Sequence, residues 1–290
     1  MRTLDVALAT SLNLTEPDLD EAPTLEALAR HGLAARSLAW DDPAADFAVA
    51  RLTVLRATWN YPERPADFRA WLERTAAATT LWNPLPVVRW NLHKGYLLDL
   101  ARRGVPVTPT RLLPAGRPAS FADLVRQTGW ADLVLKPAVS CGSRLTFRVA
   151  ADDAQAGDAA LTRILAEGDA LAQPYLAAVD GYGERALVCL DGEPTHAVRK
   201  SPRFSGQDES TSGALPIAPA EADLARRCLA AVGADLLYAR VDVAPGPDGT
   251  PVLMELELIE PSLFFPACPA ALERFARAVK RRVEALACTS

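Results

Sequence analysis

An arginine and three carboxylates stand at strand spacing in the last quarter of the chain. Arg240 and Asp242 lie in Tyr238-Ala239-Arg240-Val241-Asp242-Val243, and Glu255 and Glu257 in Met254-Glu255-Leu256-Glu257-Leu258. Successive strand side chains point to opposite faces, so Arg240 shares a face with Asp242, and Glu255 with Glu257. Pro247-Asp248-Gly249 between the two runs predicts a hairpin that brings all four together. Acids gathered on a half-buried face repel one another and resist desolvation, so the arrangement asks for cations, and oxygen-seeking magnesium fits. An amphipathic hairpin with its acids in solvent has the same spacing, and on the hairpin alone the two readings weigh about equally.

Two lysines bear on that choice. Lys94 falls in the first turn of a predicted helix, Asn91 to Arg103, in which Asn91 caps and Gly104 stops. Lys136 ends the apolar strand Leu133-Val134-Leu135-Lys136, directly before Pro137 and the loop Ala138-Val139-Ser140-Cys141-Gly142-Ser143-Arg144. Ammonium groups beside small residues, whose backbone N–H groups are open to an approaching oxygen, suit a polyphosphate. Either lysine taken singly is explained by solvation. Arg199 and Lys200 end a strand opposite Glu184-Arg185, where paired surface charges are the plain alternative. Trp59 and Tyr61 are candidates for a pocket wall, with packing between lobes as the equal alternative.

Competing motifs fail on context. Gly181-Tyr182-Gly183-Glu184-Arg185-Ala186 matches a dinucleotide fingerprint in letters, but it precedes a strand where that mechanism needs a strand before and a helix after. There is no Walker A sequence and no nucleophile elbow, and His31, His93 and His196 are scattered.

Composition sets the frame for these groups. The 290 residues are 50% hydrophobic and 23% charged, which is the balance of a folded protein large enough for two or three lobes. A net charge of -5 disfavours nucleic acid as partner, and no apolar run spans a bilayer. The N-terminus carries an acid within its apolar run and reads as a first strand. With no bilayer-spanning run and no small-residue cleavage site, the expected compartment is the cytoplasm; the five cysteines, Cys141, Cys189, Cys228, Cys268 and Cys288, suggest neither a zinc knuckle nor a redox pair and read as reduced thiols.

Three units are predicted to position the chemistry: residues 1–90, 91–172 and 173–290. The first has strands at 4–9 and 49–55, helices at 22–31 and 65–79, and a boundary at Asn83-Pro84-Leu85-Pro86, so it reads as an open α/β layer. The second has an extended run 105–113, strands at 133–136, 145–149 and 170–173, and helices at 120–127 and 153–166. The third has a hairpin through Asp191-Gly192, a helix at 219–231, the carboxylate hairpin 237–244 and 252–259, and a closing helix to about 287. The polar stretch 201–213 is predicted to be a mobile surface loop.

In this order, the strand with Lys136-Pro137 and its small-residue loop, then Gln173-Pro174-Tyr175-Leu176, then Arg240-Val241-Asp242 and Glu255-Leu256-Glu257 resemble the signatures of the ATP-grasp superfamily. The resemblance spans nearly the whole chain and implies two α+β lobes that hold ATP between them. It implies that Lys94 and Lys136 contact the phosphates, that residues 138–144, with Ser140, Gly142 and Ser143, cover them, and that 173–176 form the adenine hinge with Glu184 nearby. Asp242, Glu255 and Glu257 would hold magnesium, two ions in the usual arrangement, although many relatives carry asparagine where this chain has Glu257. Arg199, Lys200 and Arg240, with Lys136, would hold the reacting phosphate and carboxylate.

Arg56-Ala57-Thr58-Trp59-Asn60-Tyr61-Pro62, Trp90-Asn91-Leu92-His93-Lys94 and Glu257-Leu258-Ile259-Glu260-Pro261-Ser262 are similar to a compact branch near the glutathione-synthetase-type ligases. That branch includes the ATP-dependent cyclo-ligase of D-cycloserine biosynthesis. The resemblance implies activation of a small amino-acid-like carboxylate as its acyl phosphate, with O-ureido-D-serine cyclising on itself. An intermolecular carboxylate–amine ligase and a nucleotide-binding module without turnover stay open.

Overall fold

Apolar runs joined by amphipathic helices build the first layer. In the computed structural model, which describes residues 2–201 and 210–288, β1 (Leu4–Thr10), β2 (Ala35–Ala39), β3 (Ala50–Ala57) and β4 (Thr80–Trp82) form a parallel sheet in the order β2-β1-β3-β4. Helices α1 (Glu21–Arg30) and α2 (Pro65–Ala78) make the crossovers that parallel pairing requires. The central strands β1 and β3 are largely buried, as strands covered on both faces are. Strands β2 and β4 lie outside the sequence expectation because runs of five and three residues are too short to show a period.

The single helix expected from Asn91 to Arg103 is two: α3 (Leu85–Asn91) and α4 (Tyr96–Arg102). Asn91 does not cap. Its side chain donates to the Leu256 carbonyl at 2.8 Å and accepts from the Leu258 N–H at 2.9 Å. Lys94 therefore lies between the helices, with its own N–H bonded to the Ala138 carbonyl at 2.7 Å.

A second sheet is antiparallel, with β5 (Arg111–Leu113), β6 (Asp132–Pro137), β7 (Phe147–Ala150) and β8 (Ala170–Pro174) in the order β5-β8-β6-β7. Helices α5 (Phe121–Thr128) and α6 (Ala154–Leu165) cover one face, where Phe121, Leu133, Leu135 and Ile164 share a core. Ser120 caps α5, accepting from the Asp123 N–H at 3.4 Å.

Beyond the short α7 (Ala178–Tyr182), the third sheet is antiparallel in the order β10-β9-β11-β12: β9 (Glu184–Leu190), β10 (Glu193–Lys200), β11 (Tyr238–Pro245) and β12 (Pro251–Glu257). Helix α8 (Pro219–Val232) packs on it, and so do α3 and α4: Val87, Leu97 and Leu100 share a cluster with Leu187, Val241 and Leu256. Residues 85–103 thus pack on the third sheet, although in sequence order they precede the second. The last helix, α9 (Pro269–Cys288), joins the first and third sheets through Phe275 and Val279 against Leu8, Leu52 and Val188. The predicted loop 201–213 falls largely on 202–209, outside the described residues. Its ends are paired, with Ser201 N–H to Ser210 O at 2.9 Å and Ser212 N–H to Arg199 O at 2.9 Å. No helix among the described residues is long and apolar enough to cross a membrane.

Candidate active site

Strand register brings the expected residues together. Arg240 of β11 stands opposite Glu257 of β12, and Asp242 opposite Glu255; cross-strand partners share a face. On the other side of β11, Asp242 faces Ala186 of β9, and Glu184 begins that strand opposite Lys200 of β10. By alternation Lys200, Glu184, Arg240, Asp242, Glu255 and Glu257 all lie on one face of the third sheet. That face is the floor of a cleft of about 500 Å³, within the range of small-molecule sites.

Arg199 is the exception to the sequence reading. It stands opposite Arg185 and is exposed, on the reverse face of the sheet, where Arg185 pairs with Glu221 of α8 at 2.8 Å. The period of two that sends Lys200 into the cleft sends Arg199 away from it, so the structure does not bring the two together. Gly183 has its own reason: at φ +84°, a Cβ there would sit 2.2 Å from the Lys200 carbonyl oxygen, so glycine allows the chain entering β9 to pass close to the end of β10.

The second sheet makes the opposite wall. Val134 and Lys136 of β6 and Gln173 of β8 line the cleft from the face not covered by α5 and α6. Gln173 is fixed by a 2.9 Å bond to Thr110, and the Tyr175 N–H donates to the Asp132 carbonyl at 2.8 Å. Pro174, Tyr175 and Leu176 complete that rim. Ser140, Cys141, Gly142, Ser143 and Arg144 arch along the edge, with Gly142, Ser143 and Leu145 all at positive φ. Ser143 and Leu145 are strained there, since side chains disfavour the left-handed region.

Lys94 fastens this loop to the floor: its Nζ donates to the Ser140 carbonyl at 2.7 Å and to Glu255 at 2.5 Å. Lys136 reaches the other oxygen of Glu255 at 3.6 Å. Lys200 bridges Glu184 at 2.6 Å and Asp242 at 3.4 Å, and Arg240 grips Asp242 through two 2.8 Å bonds and also pairs with Glu257. The compensating cations that the acids ask for are thus side chains of the protein itself.

The charges shift one another. Burial is the largest single influence on both, raising the Glu255 carboxyl and lowering Lys94, but the surrounding charges and hydrogen bonds together outweigh it: Lys94 and Lys136 hold Glu255 low, and Glu255, chiefly, holds Lys94 high. For Lys136 burial prevails, assisted by Lys94, and its ammonium is lowered. Burial also acts on Asp242, yet Arg240 and Lys200 hold it below its ordinary value. Glu257 is pushed up to about 7 by burial, with Asp242 and Glu255 adding to it and Arg240 opposing.

Magnesium, implied by the resemblance, meets a mixed donor set. No group of three His, Cys, Asp or Glu among the described residues is arranged to hold a metal; Asp242, Glu255 and Glu257 each turn to a lysine or arginine. The chemistry still fits: magnesium takes one or two carboxylates together with phosphate oxygens and needs no all-protein cage. Asp242 and Glu255, cross-strand partners on the cleft floor, supply hard oxygens of that kind.

Trp59, Tyr61 and Glu63 of the first layer close the remaining side with Glu260 and Ser262. The Trp59 indole donates to the Glu260 carbonyl at 2.9 Å, and Tyr61 stacks on Phe68 with ring centroids 4.9 Å apart. Both aromatics therefore pack between layers and line the cleft. Glu260 is a residue that the sequence reading did not single out. Burial, reinforced by the Glu257 charge, pushes its carboxyl up to about 8. Its signal was weak, because it lies beyond the strand, where alternation no longer assigns a face. The histidines have plain partners: His31 with Glu273, His93 with Asp169, and His196 with the Leu263 carbonyl.

Comparison with known proteins places this geometry. A family model described as D-cycloserine synthetase DcsG, N-terminal domain, matches residues 6–83. The chain is 34% identical over 295 residues to the cycloserine biosynthesis protein DcsG of Streptomyces lavendulae, covering 96% of this chain and 99% of the relative. The crystal structure of D-cycloserine synthetase DcsG superposes with a TM-score of 0.88 at 33% identity, covering 96% of this chain and 99% of that one. The fold is shared with D-alanine–D-alanine ligase from Bacillus anthracis, TM-score 0.67 at 15% identity over 99% of this chain and 98% of the ligase. It is shared as well with the ATP-grasp ligase PsnB bound to a minimal precursor, TM-score 0.66 at 17% identity over 96% and 99% of the two chains.

Proposed function

The chain belongs to the D-cycloserine synthetase DcsG family, and on that premise we propose that this ATP-grasp ligase closes O-ureido-D-serine to D-cycloserine through an acyl phosphate. The observation that carries the reading is the pair Lys94 and Lys136 meeting on Glu255 beneath the loop 138–144, a phosphate-sized set of cations in a cleft between two sheets. In this reading the first layer forms the lobe that faces the substrate, and the second and third sheets, the latter with residues 85–103 packed on it, supply the two lobes that hold ATP. Residues 173–176 contact the adenine, with Glu184 also part of the nucleotide site, and Ser140, Gly142 and Ser143 lie over the phosphates. Magnesium, held by Asp242, Glu255 and Glu257, supplies positive charge to the phosphates when bound.

The chain's own groups do the rest. Lys136 and Lys94 neutralise the phosphates as the substrate carboxylate attacks the terminal one and ADP leaves. Arg240 and Lys200, both buried and both on the floor, orient the carboxylate and the transferred phosphoryl group. The nitrogen of the substrate's own N–O bond then attacks the activated carboxyl, its proton is released and phosphate departs; water then cleaves the N–carbamoyl bond, and the carbamoyl group leaves as carbamate, which falls apart to carbon dioxide and ammonia. The protein's task in that second step is to fold the substrate and keep water from the acyl phosphate. The test is incubation with ATP, magnesium and O-ureido-D-serine alone, following ADP and product mass. Cycloserine formed without a second amine is the expected result; ADP and product that appear only when a separate amine is supplied would replace the cyclo-ligase with an intermolecular ligase.

A further inference from the structure

The cleft holds one buried acid with which no lysine or arginine among the described residues forms an ion pair. Asp242, Glu255, Glu257 and Glu184 each meet a lysine or arginine. Glu260 is 9% exposed, lines the same cleft, and forms no ion pair among the described residues. Its place is fixed from outside: Trp59 holds its carbonyl, Arg56 donates to the Pro261 carbonyl at 2.9 Å, and Asp20 accepts from the N–H groups of Leu263, Phe264 and Phe265 at 2.6, 3.2 and 2.7 Å. With only a hydrogen bond from the Tyr61 side chain and the field of Lys94 to favour its ionised form, burial drives this carboxyl toward its neutral form, and a fold that holds an acid so firmly there has a use for a cation from elsewhere. The aromatic rings of Trp59 and Tyr61 on the same wall favour an organic ammonium over a bare ion.

We propose that Glu260 anchors the primary ammonium of an amino-acid substrate whose carboxylate is presented to Arg240 and Lys200. The proposal rests on the ligase reading for the carboxylate end and adds the group that tells an α-amino acid from a simple acid. Binding of O-ureido-D-serine and of its des-amino counterpart, 3-(ureidooxy)propanoate, to the enzyme carrying a non-hydrolysable ATP analogue tests it by calorimetry, with D-alanine against propanoate as a second pair. Wild type should prefer each amino compound on the order of a hundredfold, the scale of a buried charge pair. Glu260→Gln should erase that preference, leave affinity for the ATP analogue unchanged, and melt no lower than wild type, since burial already keeps the free carboxyl largely protonated at neutral pH and a neutral amide of the same shape replaces it. Glu260→Asp should keep part of the preference. A preference that survives in Glu260→Gln, no preference in wild type for either pair, or a variant that instead loses affinity for magnesium would each overturn the anchor. If wild type makes no ADP with O-ureido-D-serine while the D-alanine preference is present and lost in Glu260→Gln, the cyclo-ligase reading fails and the anchor stands.

Discussion

Glu255 offers the sharpest test because the structure gives it two roles. It neutralises two buried lysines in the free protein, Lys94 at 9% and Lys136 at 12% side-chain exposure, and it is a proposed oxygen donor to magnesium. Glu255→Gln keeps the shape and removes the charge, leaving two ammonium groups facing each other across a neutral amide. Breaking a buried ion pair costs about 3–5 kcal/mol. Glu255 is itself about a quarter exposed, so water recovers part of that, and a loss of about 2–3 kcal/mol is expected. For a chain of this size that lowers the melting temperature by roughly 4–10 °C. The assay is thermal unfolding of both proteins with and without ATP, in EDTA so that no metal enters. Phosphate competes with Glu255 for the lysines, so metal-free ATP should raise the melting temperature of the variant more than that of wild type, while turnover with magnesium is lost. A variant as stable as wild type without nucleotide, or an equal response to ATP in both, would refute the claim that Glu255 and phosphate share the same cations.

Three further outcomes follow from particular contacts. Lys200→Ala should lower turnover on the order of a hundredfold or more, while Arg199→Ala, on the reverse face, should stay within about threefold, as steady-state kinetics will show; equal losses would contradict the face assignment. Gly183→Ala should destabilise by more than about 1 kcal/mol, because the residue is at φ +84° and its Cβ would meet the Lys200 carbonyl, and a denaturant midpoint unchanged from wild type would contradict the close approach. Asn91→Ala strands the Leu256 carbonyl and the Leu258 N–H, at about 1–3 kcal/mol for each group left unsatisfied, and should weaken nucleotide binding by loosening the strand that carries Glu255 and Glu257; intact stability by chemical denaturation would show that Asn91 does not hold β12.

How much of this was legible in the sequence depends on the range of the rule that reads it. Alternation along a strand is a local property, so the shared face of Arg240 and Asp242, and of Glu255 and Glu257, followed from spacing, and the Asp191-Gly192 and Pro247-Asp248-Gly249 turns from their turn residues. The ATP-grasp fold came instead from the resemblance of the ordered motifs to that superfamily, and not from any rule of spacing. The same local rule, applied to Arg199 and Lys200, separates them, and the register of β9 against β10 makes that separation visible. Other features belong to no local rule. Asn91 has the composition of a helix cap, but the backbone of β12, far along the chain, outbids the cap, and the predicted helix breaks where Lys94 must reach Ser140 and Glu255. The compensation of the cleft acids by lysines and arginine, and the lack of it at Glu260, are sums over charges brought from β6, β10, β11 and the link between α3 and α4. Sequence spacing fixes which way a side chain points on its own element; which charge it meets is decided only when three sheets close on one cleft, because Coulomb energy and desolvation depend on distances through space and not along the chain.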